Sequence, residues 1–167
     1  KEVKILGIDP GYAIVGYGAI YAKALKFQPL CYGAIQTGAE VPFGSRLEKI
    51  YDDMSELLEK VQPDALAIEK LYFQNNQKTA IDVAQARGVI LLSAQRKNVP
   101  IFEYTPLQVK TVVTGYGKAK KAQVMEMTKR LLALEKMPKL DDTADALAIA
   151  ICHAQACGSD LRMSMMN

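Results

Sequence analysis

Four acidic side chains occupy positions where an enzyme could use them. Asp9 ends the apolar run KILGID, and Glu69 lies near the end of a second run, DALAIEKL. Asp142 and Asp145 are three residues apart in LDDTADALAIAI, so on a helix they share one face. A charge at the end of a buried strand costs desolvation unless something pairs with it. Active sites collect at the carboxyl edge of α/β sheets, so we expect these acids to meet in one crevice.

Converging carboxylates predict a divalent cation. They would repel one another and raise their own pKa values, and a cation removes that cost. Ligands that are all oxygen suit Mg²⁺ or Mn²⁺, and the absence of Cys/His spacing argues against zinc. Two such ions can support phosphodiester hydrolysis. Taken singly, Asp9 could be a turn residue, and Asp141 or Asp142 a helix N-cap.

Five short apolar runs predict the strands that position these acids. They cover residues 3–9, 16–22, 30–36, 64–71 and 99–105. Together with the helical segments between them, they predict an α/β domain with a mixed five-stranded sheet and helices on both faces.

Helical spacing and capping signals predict five helices. A capping box of Ser45 and Glu48 opens the first, which Pro63 ends. The others run from about Gln77 to Arg96, over Pro106–Val113 with Thr105 as N-cap, to about Leu134, and from Asp141 or Asp142. The segment Ala80–Ala94 is too apolar for a helix with one face in water, so we expect it to contact both the core and a second copy of the chain.

Length and composition predict one soluble domain. The chain has 167 residues, half of them apolar, and no stretch approaches the roughly 20 apolar residues that span a bilayer. Residues 1–157 are expected to form the domain and 158–167 a flexible tail. Three cysteines without metal-ligand spacing indicate reduced thiols and a cytoplasmic location.

The net charge of +3 is unevenly distributed. Residues 70–139 hold 13 Lys and Arg against 4 Asp and Glu, whereas residues 1–69 hold 7 against 10 and residues 140–167 hold 1 against 4. A basic middle between acidic ends indicates a surface for a polyanion beside an acidic pocket. A solvated helical surface would give the same pattern.

Several motifs in order resemble one family. LGIDPG…GYG, AIEKLYF, AQARGV, FEYTPLQVK and DDTADALAIAI are together similar to bacterial RuvC, the Holliday junction endonucleases of the RNase H-like superfamily. The resemblance covers residues 3–156. It implies an RNase H-like fold and a homodimer that makes paired, symmetric, Mg²⁺-dependent nicks in four-way DNA junctions, in recombination and DNA repair. It also implies RuvA and RuvB as branch-migration partners and no membrane association.

The resemblance assigns roles residue by residue. The family's catalytic and metal-binding acids fall on Asp9, Glu69, Asp142 and Asp145, with Mg²⁺, or Mn²⁺ in its place, as two ions. Its DNA-contacting positions fall on Lys110 and Lys121, which Lys118 and Lys120 extend, and an aromatic ring that engages bases falls on Tyr72 or its neighbour Phe73. His153 lies about two turns beyond Asp145 and is expected to be structural.

Three other functions remain open from the sequence. A YqgF-like nuclease acting on ribosomal RNA precursors has a related fold but lacks the AQARGV helix. A nucleotide-binding domain of the actin/hexokinase type begins in a similar way, but needs two such domains. A junction-binding scaffold without catalysis would not need the complete set of acids.

Overall fold

Five strands form one sheet in the computed structural model, which describes residues 1–11, 13–71 and 77–165. The predicted mixed five-stranded sheet is confirmed, with β1 paired to β2 antiparallel and to β4 parallel. The spatial order is β3-β2-β1-β4-β5, which puts β1 at the centre. The strands are β1 (Glu2–Pro10), β2 (Ile14–Lys23), β3 (Lys26–Gln36), β4 (Ala65–Glu69) and β5 (Ile101–Tyr104).

The helices begin and end close to the predicted positions, except at the start of the first helix and at the end of the last. The Thr105 hydroxyl accepts a hydrogen bond from the Gln108 N–H at 3.0 Å, as the N-cap prediction requires. The capping box at Ser45 is wrong, because the first helix begins at Phe43 and Ser45 lies within its first turn. The helices are α1 (Phe43–Val61), α2 (Gln77–Arg96), α3 (Pro106–Thr114), α4 (Lys121–Leu131) and α5 (Asp141–Met165).

The last helix is longer than the sequence indicates. Its backbone continues to Met165, past the boundary at residue 157 where we expected a tail. The apolar spacing that predicts a helix stops near Cys157, so the sequence pattern does not mark the end of α5. The domain boundary and the mobility of residues 158–167 stay predictions.

Alternating side chains on the central strands build a core on each face of the sheet. Leu6 and Ile8 of β1 point to the face covered by α1 and α2. Ile5 points to the opposite face, which α3, α4 and α5 cover. Because the side-chain period of a strand is two, Asp9 follows Ile5 and Gly7 onto the α5 face.

Two glycines bring α5 unusually close to the sheet. A Cβ atom on Gly7 would overlap the Ala146 carbonyl oxygen, and one on Gly16 would overlap the Asp142 carbonyl group. Only hydrogen fits at these two positions, so the N-terminal half of α5 lies directly on β1 and β2. This contact sets the height of the α5 side chains above the strand ends.

Among the helices in the described part of the chain, none combines the length and apolar character that crossing a lipid bilayer requires.

Candidate active site

The ends of β1 and β4 place two of the acids side by side. Ile8 and Ile68 are partners in the parallel register, so Asp9 and Glu69 follow at adjacent strand ends. Both come one residue after a side chain that points to the α1/α2 face, and therefore both point towards α5. Parallel pairing thus makes neighbours of two carboxylates that are 60 residues apart in the sequence.

The first turns of α5 supply the other two acids. Asp142 lies against the β1–β2 turn, with its Oδ1 atom 2.9 Å from the position that a Cβ of Gly11 would take. Asp145 is one turn further along, on the same helix face. The charges of Glu69, Asp145 and Asp142 all raise the pKa of Asp9, so Asp9 is the centre of the four-acid site.

Burial, and then mutual repulsion, hold protons on the four-acid site. Asp9 is 9% exposed, and its pKa is raised to about 9, first by desolvation and then by the charges of Glu69, Asp145 and Asp142. Desolvation is also the largest cause of the raised pKa values of the other three acids. Repulsion among the carboxylates predicts the same direction from the sequence, but burial under α5 contributes more to the raised pKa values.

In the described parts of the chain, no group of three or more His, Cys, Asp or Glu side chains is already spaced as ligands of a metal ion. Burial and the charges of the neighbouring acids instead raise the pKa of Asp9, which favours a proton on this carboxyl group. A proton shared between carboxylates and a cation between them relieve the same repulsion, so the two compete for these oxygens.

One lysine lies directly beside the acids. The Lys121 Nζ atom is 3.4 Å from an oxygen of Asp145 and 3.4 Å from one of Asp141. This ammonium group lowers the pKa of Asp145 and Glu69 against the effect of burial. Asp141, which is not among the four predicted ligands, faces solvent and pairs with Lys121 from outside the cluster.

A cleft leads away from the four-acid site between α5 and the α3–α4 pair. Its volume is about 470 Å³, and Glu69 and Asp145 form one end of it. Lys110, Lys120 and Lys121 line it, so three of the four lysines predicted to bind DNA are together here. Lys118 is exposed on the loop before α4, outside this lining. We call this feature the lysine cleft.

The remaining predicted site residues fall into two groups. Tyr72 and Phe73 lie outside the described residues, so their role stays a prediction. His153 is buried, shares a 2.6 Å hydrogen bond with the Tyr104 hydroxyl and packs on the Phe102 ring at 4.4 Å. Burial lowers the pKa of this imidazole. These contacts fit the expected structural role.

The α2 helix has one buried and one exposed apolar face. Ala86, Ile90 and Ala94 are in the core. Ile81 and Leu92, about three turns apart, are 66% and 53% exposed on the other side. The segment Ala80–Ala94 therefore covers the core with one stripe, whereas Ile81 and Leu92 are exposed on the opposite side.

Sequence reasoning missed a contact behind the site. The Arg87 Nε atom is 3.4 Å from the Glu69 carbonyl oxygen, on the sheet face opposite the acids. Arg87 belongs to the AQARGV motif, but no residue spacing shows that α2 reaches back to the end of β4. Gly7 and Gly16 were also missed. Gly16 and Gly18, at alternate positions of β2, would have been a signal of close helix packing.

The chain is similar to known RuvC proteins in both sequence and structure. The RuvC from Brevibacillus brevis is 54% identical over 153 residues, which are 92% of each chain. The Thermus thermophilus RuvC structure is 33% identical, has a TM-score of 0.89 and covers 94% of this chain, which in turn covers 96% of it. A second structure, T. thermophilus RuvC in complex with Holliday junction substrate, has a TM-score of 0.90 at 33% identity, with 95% and 96% covered.

A family model gives the same result over nearly the whole domain. The model described as crossover junction endodeoxyribonuclease RuvC matches residues 5–153, a range that includes all four acids and the lysine cleft. The predicted RNase H-like fold is thereby confirmed, and the chain belongs to the RuvC family of crossover junction endodeoxyribonucleases.

Proposed function

We propose that the chain cuts four-way DNA junctions by Mg²⁺-dependent hydrolysis of phosphodiester bonds at the four-acid site. The observation that carries the proposal is the meeting of Asp9, Glu69, Asp142 and Asp145 at one sheet edge, at the mouth of a lysine-lined cleft. The junction as substrate is supported by the complex that the similar T. thermophilus RuvC forms. Cleavage of such junctions would contribute to recombination and DNA repair.

The donor set fits a hard divalent cation. All four side chains offer carboxylate oxygens, the ligands that Mg²⁺ and Mn²⁺ prefer. Burial raises the pKa values of all four acids, and a bound cation would favour their ionised forms. We infer that Asp9, Glu69, Asp142 and Asp145 hold two Mg²⁺ ions, with Mn²⁺ as a substitute. When bound, such ions supply an activated water and stabilise the leaving oxygen.

The lysines would hold the DNA strand against the acids. Lys110 and Lys120 line the cleft at the point where a strand running to the four-acid site would pass. Lys121 is 55% exposed and pairs with two carboxylates at long distance, so an incoming phosphate can compete for it. Lys118 extends the positive surface outward. Together these side chains would orient the scissile phosphate and screen it from the acids.

A homodimer is supported by the exposed stripe of α2. Ile81, Gln85, Gly88 and Leu92 recur at helical spacing on the face away from the core, and all four are exposed. Apart from the backbone of α2 around it, no atom in the described part of the chain lies within 4 Å of where a Cβ of Gly88 would be, so packing against the rest of the chain does not require this glycine. A second α2 helix could approach closely there. A two-fold dimer offers one active site to each of two opposed strands of a junction.

The remaining partners follow from family membership. Tyr72 or Phe73 would stack on a base at the crossover, for about 1–3 kcal/mol. We place RuvA and RuvB beside the dimer as branch-migration proteins, and the reaction in the cytoplasm, where the cell keeps its junction DNA.

Cleavage of a synthetic junction tests the proposal. The chain is incubated with a labelled mobile four-way junction, with and without Mg²⁺, and the cut positions are mapped on all four strands. We expect symmetric nicks in one pair of opposed strands, only with the metal. The Asp9→Asn variant should lose cleavage by at least about 10³-fold, yet bind the junction as tightly or more tightly, because a negative charge facing DNA is removed.

Other outcomes would separate the alternative functions. Tight junction binding without any Mg²⁺-dependent cut would favour a scaffold without catalysis. Preferential cleavage of a ribosomal RNA precursor would favour a YqgF-like activity. Loss of both cleavage and binding in Asp9→Asn would indicate a folding defect, which a melting curve would show.

A further inference from the structure

The peptide group that follows the Glu69 side chain is held from two sides. Its carbonyl oxygen, on Glu69, is 3.4 Å from the Nε atom of Arg87 on α2. Its N–H, on Lys70, donates to the Tyr104 carbonyl oxygen of β5 at 2.8 Å. A peptide group is planar, so these two contacts together fix the orientation of the backbone on which the Glu69 carboxylate depends.

The sheet itself leaves this carbonyl without a donor. Leu66 and Lys70 direct their N–H groups to β5, so the alternate residues of β4, including Glu69, face β1. In the parallel register that pairs Ile8 with Ile68, the donor for the Glu69 carbonyl would be the main-chain nitrogen of residue 10. That residue is Pro10, which has no N–H.

The second end of the guanidinium group is also directed at the sheet. Its terminal nitrogen is 3.4 Å from a Glu103 carboxylate oxygen on β5, next to β4. The Arg87 side chain is only 13% exposed, and in the described part of the chain this nitrogen is buried without a hydrogen-bond partner. Arg87 therefore bridges the ends of β4 and β5 from the α1/α2 side of the sheet.

We propose that Arg87 is a positioning residue for Glu69: it supplies the hydrogen bond that Pro10 cannot give and so aims the Glu69 carboxylate into the four-acid site. The inference rests on the proposed function, since it assigns Glu69 a catalytic task. It assigns Arg87 no contact with DNA, because Arg87 lies on the α1/α2 side of the sheet while the acids and the lysine cleft lie on the α5 side. The stripe of α2 that we propose for the dimer is separate from it.

Three variants isolate this role. Arg87→Met keeps the length of the side chain and removes both contacts. Arg87→Lys keeps a positive charge opposite Glu103 but cannot reproduce the two-nitrogen bridge. Glu103→Gln is the matched control, because it removes the ion pair and leaves the contact between Arg87 and Glu69. Each is compared with the unchanged chain in single-turnover cleavage of the junction, junction binding without metal, Mn²⁺ binding by calorimetry without DNA, and thermal melting.

A misplaced catalytic carboxylate gives a defined pattern. Arg87→Met should slow cleavage about tenfold or more, because a shift of about 1 Å can cost ~10²-fold. The junction Kd should stay within about twofold, since the interaction that is removed does not contribute to uniform binding. Mn²⁺ binding should weaken, and Glu103→Gln should cleave within about threefold of the unchanged chain. If Arg87→Met melts below the assay temperature, Arg87→Lys takes its place. Arg87→Lys should also cleave the junction more slowly than Glu103→Gln does.

Two results would overturn the proposal. One is cleavage by folded Arg87 variants within about threefold of the unchanged chain. The other is an equal loss in Glu103→Gln and Arg87→Met, which would assign the effect to the ion pair on β5. Should the unchanged chain fail to cut the junction, the proposed function fails by itself. The Mn²⁺ comparison between Arg87→Met and Glu103→Gln still decides the role of Arg87.

Discussion

Asp9 is a carboxyl group that the fold buries but that metal binding would require in its ionised form. It is 9% exposed, and its pKa is raised to about 9 by burial and then by the charges of three neighbouring carboxylates. A single proton or a bound cation can relieve this conflict, whereas an ionised and metal-free Asp9 cannot. Without metal, the stability of the chain should therefore depend on pH in a direction that Asp9 sets.

The direction in which stability changes with pH follows from the pKa values of Asp9 in the folded and unfolded states. The folded value, about 9, lies above the ordinary value of 3.8, so the folded state binds the proton more tightly. Stability from this group is present at low pH and is lost as the pH rises from about 4 to about 9. We expect the metal-free melting temperature to fall over this range by at least ~2–4 °C, the shift that about 1 kcal/mol gives in a domain of this size.

Thermal melting in a chelator, from pH 5 to 9, measures this effect. The Asp9→Asn variant should show a smaller fall, because its side chain does not titrate. Addition of Mg²⁺ should raise the melting temperature of the unchanged chain most at high pH, where fewer protons compete. A flat profile that is equal in both proteins would contradict the account of the four-acid site.

At the scale of elements, the contact of α5 with β1 and β2 decides whether the acids meet. A methyl group on Gly16 would have to displace the Asp142 carbonyl group, and with it the first turn of α5. The helix cannot move by itself, because Leu147, Ile149 and Ile151 bury it in the core on that face. The site and the fold therefore share one packing constraint.

Gly16→Ala tests this constraint. We expect a loss of about 1–3 kcal/mol of stability from overpacking, together with a large loss of junction cleavage, since Asp142 and Asp145 move away from Asp9. Denaturant melts and single-turnover cleavage measure the two effects. Gly44→Ala on α1 is the control: its Cβ meets open space, so it should leave cleavage unchanged and stabilise the helix by up to about 1 kcal/mol. Full activity in Gly16→Ala would show that α5 is not fixed by this contact.

At the scale of the whole molecule, the proposed dimer determines whether nicks are paired. Leu92, 53% exposed on α2, should be covered by the second copy. Leu92→Glu should therefore give a monomer by light scattering at micromolar concentration, with the melting curve of the subunit retained and paired nicking abolished. Leu25→Glu is the control, because Leu25 is 58% exposed at the turn between β2 and β3. If Leu92→Glu remains a dimer, the interface lies elsewhere.

The lysine cleft should make junction binding strongly dependent on salt. Removal of one lysine that binds a phosphate reduces the slope of log K against log salt by about 1. Lys120→Ala, in the cleft, should weaken binding and reduce this slope. Lys23→Ala should do neither, since Lys23 is the strand partner of Glu2 at the opposite end of the sheet. Equal effects of the two variants would indicate nonspecific attraction by the net charge.

The sequence by itself determined the identities of the acids and the elements that carry them. Alternation on β1 and β4 and the spacing of Asp142 and Asp145 are local patterns, and Thr105 caps α3 through contacts within one turn. Local patterns also predicted α2 over Gln77–Arg96. The capping box at Ser45 is wrong, because the helix begins at Phe43, directly after Pro42, without a side-chain cap.

Only the tertiary structure decided how closely these pieces approach. The depth of α5 depends on Gly7 and Gly16, and the orientation of Glu69 on Arg87, 18 residues away. Burial, the largest cause of the raised pKa of Asp9, likewise exists only once α5 covers the sheet. Spacing within a segment fixes the direction of a side chain, but distances between segments are set by packing, which no short stretch of sequence contains.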